Sequence, residues 1–259
     1  MSLERKLFKL RNIIGGRLGI TKPQVNLSGF VAGADEVASL KASDSEIFNH
    51  FFAREGRLVH KWAHYLQIYE NYFDRFRHTP LKFLEIGVFD GGSLDFWRRY
   101  FGAQATIVGI DINPECAQRV TSPNFVRIGS QDDPAFLARI SEEFGPFDIV
   151  LDDGSHLGWH QIASFKELFP RVKAGGLYVI EDTHTSYWPD HHGGIRRSNT
   201  AIALGKSLVD DIHGWYHAEA ERAWAKSEIP AIHFYDSVIV VEKHERSRPA
   251  MITGGKPRS

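Results

Sequence analysis

Cysteine is nearly missing from this chain: Cys116 is the single one in 259 residues. That excludes an internal disulfide and a thiolate zinc cluster within one chain, and it fits a reducing cytoplasm. A large charge of either sign is missing too. A formal net charge of −1 offers no general attraction to phosphate backbones, so nucleic acid is not an expected partner. No stretch approaches the roughly 20 consecutive apolar residues of a spanning helix, and no integral membrane segment is expected. Residues 1–14 alternate Lys and Arg with Leu, Phe and Ile without the apolar centre of a signal peptide. They suit a short packed or frayed helix, with contact to a membrane surface as the alternative. The strict G-x-G-x-x-G of dinucleotide sites is also missing, which counts against a nicotinamide-dependent oxidoreductase.

What the chain does have is 42% hydrophobic composition, ample for one large core. Residues 1–57 are mixed and broken by glycines, with one short helix near 45–54, and form an N-terminal extension. Between residues 58 and 76 apolar and aromatic side chains recur at Leu58, Trp62, Tyr65, Leu66, Tyr69 and Phe73, the spacing of a helix laid on a sheet. Strands and helices then alternate. Strands are expected at 82–86, 106–111, 125–128, 147–153 and 177–181, and helices at 94–101, 114–120, 134–143 and 159–172. A loop at 183–199 precedes a helix at 200–213, and 231–235 with 238–242 form a closing hairpin. The expected fold is α/β: a doubly wound, Rossmann-like, mostly parallel seven-stranded sheet with a terminal antiparallel hairpin and an N-terminal helical extension. The domain spans 58–244 and a basic flexible tail 245–259.

The chemistry concentrates at two strand endings, Asp152-Asp153-Gly154-Ser155-His156 and Glu181-Asp182, each after an apolar β-branched run. If those strands are neighbours their axes lie about 4.8 Å apart, and Asp153, Glu181 and Asp182 converge on one divalent ion. Oxygen donors without thiolate favour magnesium. His156, in the turn after Asp153, can face a hydroxyl bound there and remove its proton, or it can merely cap the helix that follows. A second group lies at the first three strand ends. Glu85-Ile86-Gly87-Val88-Phe89-Asp90-Gly91-Gly92-Ser93 is a glycine turn with an acid at the strand end, better suited to a cationic ligand than to a pyrophosphate. Asp111 can accept both hydrogens of a ribose diol, and Ser130, Gln131 and Asp132 can meet an adenine edge. Asp152 either assists the cofactor's amino group or orients the following turn. Tyr187 and Trp188 are a candidate apolar platform for a substrate, or packing residues.

These endings resemble the class I S-adenosylmethionine-dependent methyltransferases, over residues 81–242. Asp-Asp-Gly-Ser-His, Tyr-Val-Ile-Glu-Asp-Thr and Tyr187-Trp188-Pro189 resemble, more narrowly, metal-dependent bacterial sugar O-methyltransferases of the mycinamicin deoxysugar type. The resemblance implies that Glu85, Gly87, Asp111, Ser130, Gln131 and Asp132 surround the cofactor, with Gly91 and Ser93 in the same turn. It further implies that Asp153, Glu181 and Asp182 hold Mg2+ and that His156 is the base. The acceptor would be a small-molecule glycoside or glycan, and a homo-oligomer is expected. The alternatives are a catechol-type methyltransferase, which needs a dedicated base less, a nicotinamide oxidoreductase or hydroxylase on the same fold, and a scaffold without turnover.

Overall fold

In a computed structural model, residues 30–53, 55–120 and 123–255 are described. The basic start at 1–14 and the last four residues of the tail lie outside them. Seven strands carry the fold: β1 (Lys82–Ile86), β2 (Thr106–Asp111), β3 (Phe125–Ile128), β4 (Phe147–Asp152), β5 (Val172–Ile180), β6 (Ile232–Tyr235) and β7 (Val238–Glu242). They form one sheet in the order β3-β2-β1-β4-β5-β7-β6. The first five are parallel and β7 runs antiparallel to both β5 and β6. Alternation along each strand feeds two cores. Phe83, Ile107, Ile149, Leu151, Leu177 and Val179 face one side, and Leu84, Val108, Ile110, Val150, Tyr178 and Ile180 the other.

Helices cover both faces. On the first lie α2 (Glu46–Phe52), α3 (Ala63–Phe73) and α4 (Gly92–Phe101), which bring Phe48, Tyr69, Phe73, Phe96 and Trp97 into an aromatic core. The described part of the extension is therefore packed into the domain: Ile47 and Phe48 of α2 are buried there. Another helix, α1 (Ala34–Lys41), precedes it without a buried residue, and α5 (Cys116–Arg119) follows β2. On the second face lie α6 (Pro134–Phe144), α7 (Gly158–Leu168) and α8 (Ala201–Ile212), followed in the chain by α9 (Ala225–Glu228). Local chemistry sets several starts. Asp133 caps α6 by accepting from the Ala135 and Phe136 amides with Pro134 in the first turn, and Ser45 and Thr200 cap α2 and α8 the same way.

Two boundaries differ from expectation for reasons that matter. Helix α3 begins at Ala63, not near residue 58, so residues 58–62 run as an irregular strap across the carboxyl edge of the sheet. The 183–199 loop contains two short 3-10 turns, Thr183–Tyr187 and Pro189–His191. The tail has no helix or strand through residue 255, although the Arg246 amide donates to the Ser227 carbonyl. Among the described residues no helix is long and apolar enough to cross a membrane.

Candidate active site

The strand order reverses between β1 and β4, and a parallel sheet opens a crevice at such a point, beyond its carboxyl ends. A cavity of about 650 Å3 lies here, within the range of small-ligand sites, lined by residues from the strap, the β1 turn and the β2 and β4 ends. Gly87 makes the crevice possible. Its φ is +95°, and a Cβ there would stand 2.1 Å from the Asp153 carbonyl oxygen, so only glycine lets the β1 and β4 turns meet. Gly91, at φ +83°, is the N-cap of α4 and opens that helix, without lining the cavity.

On the β1 side Glu85 is fully buried and accepts hydrogen bonds from the Ser93 hydroxyl and, at 3.3 Å, from the Trp97 indole. Burial pushes its carboxyl up to about 7, with the Lys61 ammonium opposing. Asp111 uses one oxygen to accept from the Val88 and Phe89 amides at 2.9 and 3.2 Å and the other from Asn113 N at 2.8 Å. Its carboxylate thus pins the glycine turn while lining the cavity with Gly87 and Ser93. Ser130 and Gln131 line a smaller hollow beside it, shared with Gly87, Asp111 and Gly154.

Three of the expected cofactor residues have partners within the protein. Asp152 is fully buried and accepts from Gln131 Nε2 (3.0 Å), Ser164 Oγ (2.5 Å) and the Tyr178 hydroxyl (3.3 Å), so its side chain anchors the turn instead of facing the cavity. Gln131 completes that anchor, because its Oε1 accepts from the Ser155 amide at 2.7 Å. Asp132 is exposed, accepts from Ser130 Oγ and lies 3.2 Å from His160 Nε2. For Asp152 and Gln131 the physical reason is the same: buried polar atoms must find partners, and neighbouring turns supply them.

The acids at the β4 and β5 ends meet. Strand register places Asp152 beside Ile180, so Asp153 and Glu181 follow on adjacent strands. Both close on one atom, the Lys61 ammonium: Asp153 Oδ2 accepts from it, as do both Glu181 oxygens at 2.8 Å, and Glu85 Oε1 lies 3.9 Å away. Burial works against that ammonium, yet Asp153, Glu181 and Glu85 outweigh it and hold its pKa above the ordinary lysine value. Glu181 also accepts from the Tyr69 hydroxyl, and burial, reinforced by Asp153, pushes its carboxyl well up. Asp182 turns the other way, in left-handed backbone at φ +52°. Its Oδ1 accepts from the Tyr65 hydroxyl at 2.6 Å and its Oδ2 lies 3.4 Å from His156 Nε2. One donor atom each from Asp153, His156 and Asp182 lie within 4.8 Å of one another. Three carboxylates, Asp153, Glu181 and Glu85, thus share one ammonium, with Asp182 close by. Oxygen donors with this excess of negative charge fit a hard divalent cation, and the fit is to magnesium before zinc.

His156 is held by its turn. Its φ is +56°, its carbonyl accepts from Thr185 Oγ1 at 2.9 Å, and its Nε2 faces Asp153 and Asp182 while Nδ1 is buried without a hydrogen-bond partner. Trp188 packs on His184, with ring centroids 4.6 Å apart, and Trp62 of the strap approaches the same imidazole at 5.9 Å. Tyr187 is half exposed. His184 bonds Ser237 Oγ, which also accepts from Tyr65 at 2.7 Å. Sequence reasoning missed Lys61, Tyr65 and Tyr69 as site residues. Only the i, i+4 spacing of the two tyrosines, which stacks their hydroxyls on one helix face, was a signal, and it was absorbed into the apolar stripe.

Sheet order, switch-point cavity and acidic carboxyl edge together define a class I methyltransferase domain. The comparisons agree. A family profile described as a methyltransferase domain matches residues 84–183. A Streptomyces olivaceus 8-demethyl-8-(2-methoxy-alpha-L-rhamnosyl)-tetracenomycin-C 3'-O-methyltransferase is 41% identical over 72% of this chain and 50% of its own length. The mycinamicin VI 2''-O-methyltransferase of Micromonospora griseorubida is 36% identical over 79% of this chain and 53% of its own. The structure of MycE methyltransferase from the mycinamycin pathway, in complex with Mg, SAH and mycinamycin VI, superposes with a TM-score of 0.67 at 30% identity, covering 87% of this chain and 67% of that one. The chain belongs to this methyltransferase family. It spans about half the length of the curated relatives it matches.

Proposed function

We propose that this chain catalyses magnesium-dependent transfer of a methyl group from S-adenosylmethionine to a hydroxyl of a glycosylated small molecule. The observation that carries the reading is the closure of Asp153 and Glu181 on one cation position, with Asp182 and His156 alongside, at the edge of the glycine-turn cavity. Relatives named as sugar O-methyltransferases support the acceptor class. Gly87, Ser93 and Asp111 would receive the nucleoside, with Glu85 as the buried acid behind them. Asp153, Glu181 and Asp182 would hold magnesium. When bound, magnesium supplies Lewis acidity to a coordinated hydroxyl, and the sulfonium supplies the methyl.

The protein's own part is orientation and proton removal. Asp182 Oδ2 lies 3.4 Å from His156 Nε2 and orients the imidazole, and Tyr65 holds Asp182 in place. The acceptor oxygen gives its proton to His156 Nε2 as the new oxygen–carbon bond replaces the sulfur–carbon bond. Trp62 and Trp188 offer apolar faces to a sugar on the same side. Cys116, buried and free, accords with a reducing cytoplasm.

The test is S-adenosylhomocysteine formation by the purified chain with a rhamnosylated or deoxysugar-bearing acceptor, with and without EDTA. Methyl transfer that stops in EDTA and returns with Mg2+ is expected. Full turnover in chelator, or turnover on catechols alone, would refute the reading.

A further inference from the structure

We infer that the Lys61 ammonium is the resident counter-cation of the Asp153–Glu181 pair and has to move off it before a divalent ion can be ligated by both acids. Metal binding and the position of the 58–62 strap are then one equilibrium. The inference rests on the magnesium reading above.

The two acids close on a single nitrogen, which Glu181 meets through both oxygens and Asp153 through Oδ2. The Lys61 side chain is 3% exposed and that of Glu181 1%, so the contact is built into the interior and is no surface pairing. Magnesium stands about 2.1 Å from each ligand oxygen. An ion bridging the same two carboxylates would have to occupy the place the ammonium fills, and two cations cannot share it.

Lys61 is tied to the cavity through its strap. Leu58 N donates to Asp90 Oδ2 at 3.2 Å, and the Leu58 carbonyl lies so near Gly92 that a Cβ there would come within 2.3 Å of it. Leu58, Val59, His60 and Lys61 all line the cavity wall. Moving the ammonium therefore moves part of the wall that surrounds the donor. Removing it has two opposite consequences: the metal loses a competitor, and the metal-free protein loses the ammonium that Asp153 and Glu181 share.

The deciding experiment is calorimetric titration of the full chain with Mn2+, for the wild type and Lys61→Met, with melting curves in the presence and absence of Mn2+. At least tenfold tighter Mn2+ binding by Lys61→Met is expected, together with a lower metal-free Tm and a larger Mn2+-induced rise. Equal or weaker binding by the folded variant overturns the inference while wild-type binding leaves the magnesium reading standing; no binding by either chain overturns both. A second measurement needs no variant. Acetylation of Lys61 by acetic anhydride, read by peptide mass spectrometry on the wild type, should rise when Mn2+ is added, and an unchanged yield would overturn the inference equally.

Discussion

The two halves of the carboxyl edge are built differently. Around β1 and β2 the site is held over shorter stretches of chain: Glu85 by Ser93 and Trp97, 8 and 12 positions on, and Asp111 by the Asn113 amide 2 positions on and the Val88 and Phe89 amides 23 and 22 positions back. Around β4 and β5 it is assembled from afar. Lys61 reaches Asp153 across 92 positions and Glu181 across 120, while Tyr65 and Tyr69 reach Asp182 and Glu181 from a helix that precedes the whole sheet. A nucleoside pocket needs backbone approach, which a local glycine turn supplies. A cation site needs several charged groups at one point, which no single turn can hold without outside partners.

Substitutions can break that contrast, beginning where the effect is largest. Asp153→Asn should bring methyl transfer to background with loss of Mn2+ affinity in calorimetry, because Asp153 belongs both to the Lys61 contact and to the group with His156 and Asp182. His156→Ala should lower kcat by about a thousandfold, in the range typical of a lost general base, while Mn2+ still binds. If Mn2+ binding is lost as well, His156 is a ligand and the proton goes elsewhere. On the local side, Gly87→Ala should cost about 3 kcal/mol in urea denaturation, since the added carbon meets backbone and the positive φ is strained.

Glu85 gives a pH test that separates the halves. Its carboxyl is raised from 4.5 to about 7 in the fold. The folded state therefore binds the proton more tightly than the unfolded chain, so the stabilisation is complete below pH 4.5 and is lost as pH rises through about 7. The loss across that window is about 3 kcal/mol for a shift of this size. Urea midpoints of the metal-free protein should fall over the window, and Glu85→Gln should flatten the fall; an unchanged slope would place the titration on the distant half. The smallest effect is expected for Tyr69→Phe. Loss of the hydroxyl that orients Glu181 should weaken Mn2+ binding about tenfold and leave the S-adenosylmethionine dissociation constant alone.

Most of the fold could be read in advance because alternating apolar runs and capped amphipathic helices are short-range patterns. Residues 82–86, 106–111 and 125–128 are strands where they were expected, and β6 and β7 make the expected hairpin. The 58–76 segment misled for a physical reason. Its apolar spacing continues through Leu58 and Trp62, but Leu58 is exposed on the strap and Trp62 packs on Phe30 and His184. Asp152 and Gln131 were ambiguous for another reason, since a strand-end acid and an amide look alike in sequence whether they face a ligand or each other.

By itself the sequence determined which residue types stand at the strand ends, because apolar runs stop where carboxylates and glycines begin and burial of those runs leaves the endings at one edge. Only the tertiary structure decided which carboxylates meet, that an ammonium from before the sheet stands between two of them, and which acid is spent as an anchor. Those outcomes depend on partners many residues away, and a buried charge takes its role from whatever the fold brings within hydrogen-bond reach.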